Sequence, residues 1–143
     1  MKIRAFHIDD TEDIVSLWTA CELVVPWNDP REDIARKLEV NPELFLVGEL
    51  VGEHAGAIVA TVMGGYEGHR GWINYLAVDP AHRGKDYGRE IMAAIETQLQ
   101  DLGCPKINLQ VRSSNEAVLR FYQAIGYAID DVVGMGKRLK QDD

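Results

Sequence analysis

A mixed α/β fold is predicted, with a central sheet of about six to seven strands flanked by four helices. Three observations predict it. Apolar residues recur at helical spacing, as Ile14, Leu17, Trp18 and Cys21 do near the start and Ile91, Met92, Ile95 and Leu99 do in the second half. Residues 44–78 hold three β-rich runs joined by short glycine-bearing turns, which read as an antiparallel meander. The strand–helix–strand unit that follows needs a crossover, which makes its last strand parallel and the sheet mixed.

The elements follow in order. Residues 1–8 are short, mixed and β-compatible. Asp10 can cap a helix from residue 11 to about residue 23. "VVPWNDP" (24–30) is a breaker-rich loop. Asp29 starts a second helix, with Pro30 at its first position and Glu32 three residues after the cap. Asn41-Pro42 stops it. Strands are expected at 44–50, 55–66 and 72–78, the last after the turn "EGHRG" (67–71). A third helix starts near Tyr87 and ends at Gly103. Residues 106–111 alternate as a strand. Ser113 and Glu116 form a capping-box pattern for a fourth helix through about Ala124, which Gly126 ends. Residues 127–139 read as a last strand pair, bent near Asp130-Asp131. The order is β-α-α-β-β-β-α-β-α-β-β, and residues 1–143 form one domain with no repeat or linker.

Composition narrows the function. The chain has 143 residues, is 46% hydrophobic and carries a formal net charge of -8. That acidity argues against a nucleic-acid or anionic-membrane binder and leaves room for cationic partners. Lys2, Arg4 and Asp9 interrupt any N-terminal apolar run, and no apolar segment is long enough to span a bilayer. Cys21 and Cys104 provide neither a disulfide framework nor metal-ligand spacing. A cytoplasmic protein without a metal is expected, with Cys21 in the core.

"AVDPAHRGKDYGREIMAAIE" (77–96) carries the chemistry. An apolar strand end runs through Asp79-Pro80 into a loop with two glycines and three cations, and a helix follows at once. Backbone N–H groups at a helix N-terminus bind anions, because they lack intrahelical partners and sit at the positive end of the dipole. Neither Gly84-Lys85 nor Gly136-Lys137 precedes Ser or Thr, so this is not a P-loop. No Gly-x-Gly-x-x-Gly follows a strand, so it is not a Rossmann turn.

The stretch resembles motif A of the GNAT N-acetyltransferase superfamily, in which a strand ending in an L-A-V-type triplet leads into R/Q-x-x-G-x-G/A and a helix. Here the triplet is Leu76-Ala77-Val78, Arg83 matches the first motif position and Gly88 the last. Asp86 replaces the central glycine. "NEAVLRFYQAIGY" (115–127) resembles motif B through Asn115, Tyr122 and Gly126-Tyr127. The element order is similar over nearly the whole chain. Within the superfamily, "PWNDP" and "GGYEGHRG" are similar to a small bacterial subgroup that resembles the ribosomal-protein N-terminal acetyltransferases in size and layout.

The resemblance implies a GNAT fold that takes acetyl-CoA between two parallel strands. Leu76, Ala77, Val78, Arg83, Gly84, Lys85, Asp86, Tyr87, Gly88, Arg89, Asn115 and Tyr122 would line the cofactor. The Val78 backbone N–H would contact the developing oxyanion. Tyr122 would be the general acid, and Asn115 would orient the cofactor arm or its helix. An amine-bearing small molecule or a peptide N-terminus would attack directly. Trp27, Asn28, Tyr66, Glu67, His69 and Tyr75 would lie on the acceptor side, a mix suited to a cationic amine. The strand position where many relatives carry Glu holds Asn74-Tyr75, so proton loss to water is the preferred reading. Such folds also pair as homodimers through edge strands.

Asp86 and the missing Glu motivate a second reading, a non-catalytic acyl-CoA-binding or regulatory module on the same fold. An Asp86 carboxylate about 5 Å from a phosphate charge would cost on the order of 1–3 kcal/mol. Arg83, Lys85 and Arg89 can offset that cost, and Asp accepts a left-handed backbone better than most residues.

Overall fold

The computed structural model describes residues 1–142, the side chain of Glu53 excepted; Asp143, the end of the expected domain, lies outside the described residues. Five strands lie in sequence order across one sheet: β1 (Lys2–Ala5), β2 (Phe45–Glu49), β3 (Ile58–Tyr66), β4 (Gly71–Val78) and β5 (Ile107–Asn108). The first three pairings are antiparallel. β4 and β5 are parallel and meet only at Gly71↔Ile107 and Trp72↔Asn108. Helices α1 (Thr11–Ala20) and α2 (Pro30–Leu38) cover one face, where Ile14, Trp18 and Ile34 pack on Phe45, Val47 and Met63. Helices α3 (Tyr87–Asp101) and α4 (Glu116–Ala124) cover the other, where Ile91, Met92, Ile95 and Tyr122 pack on Leu46, Val62 and Ile73.

The mixed sheet and four helices match expectation; the strand count and several caps do not. Among the described residues, the expected strand pair at 127–139 does not form. Val132-Val133 are adjacent rather than alternating, and Gly134 and Gly136 break the run, so no single face is apolar. The strand expected at 106–111 pairs only at 107–108. β3 starts at Ile58, because residues 55–57 close the turn after β2: the Gly56 and Ala57 N–H groups donate to the Leu50 and His54 carbonyls, with Gly56 at φ 91°. Asn115, not Ser113, caps α4: its Oδ1 accepts the Val118 N–H at 3.3 Å. Asp29 caps α2 as expected, accepting the Arg31 N–H at 2.9 Å.

Asp10 precedes α1 but makes no capping bond. Its carboxylate instead accepts two hydrogen bonds from Arg4, at 2.8 and 2.9 Å, and one from the His7 N–H at 2.8 Å. It thereby ties β1 to the start of α1. Arg4 above all holds the Asp10 carboxyl below its ordinary range. A depressed carboxylate contributes stability that is present above its unfolded pKa and lost as pH falls through its folded pKa. Asp10→Asn is expected to lower unfolding free energy at pH 7 by about 1.5–3 kcal/mol, with the difference shrinking below about pH 4. Urea titrations of both proteins at pH 7 and pH 3 check this.

One irregularity in β4 positions the site. Thr61 pairs with Ala77 but Met63 pairs with Asn74, so β4 carries one extra residue there. Tyr75 sits in this bulge at φ 51°. The Thr61 hydroxyl donates to the Tyr75 carbonyl at 2.9 Å, and the Trp18 indole N–H donates to the Thr61 hydroxyl at 2.9 Å. The Trp18 ring stacks on Tyr75 with centroids 3.8 Å apart. A buried tryptophan and threonine thus replace ladder bonds that the bulge gives up.

Candidate active site

Beyond Trp72 the two parallel strands part, and the β5-facing edge of β4 runs on to Val78 without a strand partner. A cleft of about 720 Å³ opens beside it, bounded by Asn74, Leu76, Val111, Asn115 and Tyr122. A larger trough of about 1460 Å³ between β5 and the chain after α4 also reaches Tyr122. The Asp79 N–H donates to the Val59 carbonyl at 2.8 Å. Antiparallel alternation therefore turns the Val78 N–H away from β3 and into the gap. The Val78 carbonyl accepts a hydrogen bond from the Cys21 thiol at 3.3 Å. Cys21 is half-buried behind this strand end rather than deep in the core, and burial pushes its thiol pKa up.

The loop after β4 is opened by Asp79, whose carboxylate accepts the Ala81 N–H at 3.0 Å. Gly84 lies at φ 82°, and Asp86, the residue before α3, lies at φ 63°, ψ 15°. Asp86 holds the left-handed conformation that a glycine takes most easily. Its side chain is exposed and makes no capping bond. Among the described residues, none of the backbone N–H groups of residues 83–89 donates to a protein acceptor. Arg83, Lys85 and Arg89 surround them, all exposed. Gly88 lies in close packing: a Cβ there would lie 3.2 Å from the Phe121 ring and 3.6 Å from Val78. The helix start, the strand end and α4 therefore meet closely. Free amides and cations thus meet at a helix N-terminus open to solvent, an arrangement able to hold an anion.

Tyr122 is 8% exposed. Its ring packs edge-to-face against Phe121 and Tyr127, with centroids at 5.3 and 5.6 Å. Among the described residues its hydroxyl has no hydrogen-bond partner, and burial pushes its pKa up to about 12. At neutral pH the phenol keeps its proton and has it free to donate.

The Acetyltransferase (GNAT) family model matches residues 11–127. The chain belongs to this family. It is 47% identical over 143 residues to an acetyltransferase of Sodalis glossinidius, covering 99% of this chain and 98% of that one. It is also 47% identical over 142 residues to an acetyltransferase of Pectobacterium atrosepticum, with the same coverage. Among solved structures it resembles Ard1 from Thermoplasma volcanium, with TM-score 0.72, 25% identity, and 90% of this chain and 83% of that chain covered.

The acceptor side of this N-acetyltransferase is only partly as expected. Asn28 and Tyr75 bound the cleft. The Tyr75 hydroxyl donates to Asp33 Oδ2 at 2.5 Å, Asn28 Nδ2 donates to the same oxygen, and Arg36 donates to Asp33 Oδ1 at 2.7 Å. Burial, then Asp33, raises the Tyr75 pKa, so this phenol is a fixed donor. Trp27 is exposed and does not bound the cleft. Tyr66, Glu67 and His69 sit at the far end of the β3–β4 hairpin, about 23 Å along β4 from Val78 at 3.3 Å per residue. There the Glu67 carboxylate accepts the N–H groups of His69 and Arg70, and the Tyr66 hydroxyl donates to Gly68 and Gly103 carbonyls. The fold does not bring these three to the cleft.

Asp33, Arg36, Lys37 and Thr61 were not singled out by the sequence. Lys37 is 8% exposed and donates to the Gly64 carbonyl, and burial lowers its pKa. One signal was available for it. Lys37 lies three residues after Ile34 and one before Leu38, on the stripe that α2 buries.

Proposed function

We propose that this chain moves the acetyl group of acetyl-CoA to a primary amine by direct attack, in a cytoplasmic setting. Acetyl-CoA supplies the activated acyl group. The family assignment supports its use, and so does the fit of the residues present. The free amides and cations of residues 83–89 suit the pyrophosphate. The Val78 N–H is turned into the gap, where it meets negative charge developing on the carbonyl oxygen. Tyr122 supplies a proton to the departing sulfur as the new C–N bond forms and the C–S bond breaks. The attacking nitrogen gives up its proton to water, since neither Asn74 nor the hydrogen-bonded Tyr75 phenol serves as a base.

The observation that carries this reading is a pair of donors where β4 and β5 part: the Tyr122 hydroxyl, which has no protein partner among the described residues, and the Val78 N–H, turned away from β3. Calorimetric titration with acetyl-CoA, on the native protein and on Asp86→Gly, tests it. Native binding in the micromolar range is expected. Asp86→Gly should change affinity by less than about threefold, because an outward carboxylate costs well under the 1–3 kcal/mol of one facing a phosphate. Binding only after the substitution would mean that the carboxylate blocks the cradle. Binding without turnover on any amine would favour the non-catalytic module.

A further inference from the structure

Chain beyond α4 crosses the molecule with little packing to hold it. Ile129, Val132, Val133, Met135 and Leu139 are 70–93% exposed. Near α4 the Tyr127 hydroxyl donates to Glu96 at 2.7 Å, and further along two charged contacts hold this segment among the described residues. Lys106 pairs with Asp130 at 2.7 Å. At the other end, the Asp142 carboxylate sits on α2. Its Oδ1 accepts from Arg36 Nη1 at 3.2 Å, and its Oδ2 accepts from Arg36 Nη2 at 2.9 Å and from the Asp29 N–H at 3.0 Å. The Asp142 side chain is only 2% exposed. Arg36 foremost, with the Asp29 N–H, holds this carboxyl down to about 2.

That arrangement is how proteins recognise carboxylates: a guanidinium fork with two parallel bonds, plus a backbone N–H at a helix start. Arg36 also borders the acceptor side of the cleft, joined through Asp33 to the Tyr75 hydroxyl. The fork of the site, Arg36, therefore stands in the cleft wall beside Asn28 and Asp33, whereas its occupant hangs from a segment with large exposed apolar side chains.

We propose that Arg36 and the Asp29 N–H form a carboxylate subsite of the acceptor cleft, filled by Asp142 in the free protein and taken over by an amine acceptor that itself bears a carboxylate. This rests on the acetyl-transfer reading given above. The tail then acts as a tethered competitor. A tether of this kind presents its group at an effective concentration in the millimolar range, enough to hold off weak anions and to yield to a well-fitted acceptor. The subsite selects among amines: one with a carboxylate gains a charge-assisted pair, and one with a carboxamide leaves Asp142 in place.

The test reads binding and turnover separately. The backbone amide of Asp29 is followed by NMR during titration with acetate, and with acetamide as the neutral control. In Asp142→Asn, acetate should shift this amide with an apparent Kd about tenfold below that of the native protein, and acetamide should not. Arg36→Gln should abolish the response. An unmoved Asp29 amide in Asp142→Asn, or equal shifts with acetamide, overturns the subsite. Acetyl transfer to glycine against glycinamide, and to Gly-Asp against Gly-Asn, then separates a free amino acid from an acidic peptide. Preference for the acid in either pair, lost in Arg36→Gln, supports the proposal, and equal rates in both pairs overturn its acceptor half. No transfer to any of the four counts against the acetyl-transfer reading, while the acetate titration still decides the subsite.

Discussion

Replacing Tyr122 by phenylalanine is expected to lower kcat by about 10²–10⁴-fold, the usual contribution of a positioned general acid. Acetyl-CoA affinity should stay within about twofold of the native value, a change of under 0.5 kcal/mol. Both expectations come from one fact: the hydroxyl has no protein partner among the described residues, so its removal breaks no hydrogen bond, while the ring keeps its contacts with Phe121 and Tyr127. Stability should therefore be nearly unchanged, and the loss should fall on the chemical step. With its pKa near 12, the phenol stays protonated through neutral and mildly alkaline pH, so loss of this proton should not limit activity there. Steady-state kinetics with calorimetry on the same preparation checks this. An unchanged kcat would remove Tyr122 from the mechanism.

Trp18→Ala is expected to cost about 3–5 kcal/mol of stability, in the range for emptying a large buried aromatic site. Trp18 is fully buried, stacks on Tyr75 and also packs on Phe45 at 6.1 Å. Its indole N–H is half of the relay that satisfies the bulge carbonyl through Thr61. The variant loses packing and leaves the bulge less firmly held, so β4 should no longer present Val78 in a fixed orientation. Trp18→Phe separates the two effects. It keeps an aromatic ring over Tyr75 but loses the donor to Thr61, at a cost of about 1–3 kcal/mol for a partner left unsatisfied. Urea unfolding of the three proteins gives the order native, Trp18→Phe, Trp18→Ala. A cost below 1 kcal/mol for the alanine variant would show that the bulge holds without this support.

Much of this is legible in the sequence because it is local. Periodicity located α1 and α3, and start and stop residues located α2 and α4. The sequence placed a glycine-bearing, cation-rich loop before α3, where the structure has it, and Asp86 was read as compatible with a left-handed backbone, which it adopts. The unread parts depend on contacts far apart in the chain. The bulge at Tyr75 falls in "WINYLAV", with no glycine or proline to mark it, and its support comes from Trp18 and Thr61. Asp33 and Arg36 carry no distinguishing mark in the sequence; their link to Tyr75 and to Asp142 needs the fold. Glu67 and His69 were assigned to the acceptor side by the family resemblance, and the length of β4 separates them from the cleft. Residues 127–139 carry β-branched side chains, but propensity without alternation gives a strand no face to bury.

The sheet's strand order, identical to the order of the chain, bears on how the protein reaches this structure. β2, β3 and β4 each pair with the next strand along, across connections of eight residues (50–57) and four (67–70). The entropy of closing such short connections is small, so this meander can assemble from local contacts. β5 is different. It reaches β4 only after all of α3, and two residue pairs reward it on arrival. The part of the chain that carries Tyr122 is accordingly expected to dock late, and the strand that carries Val78 to form early. The active site exists only once the two have met.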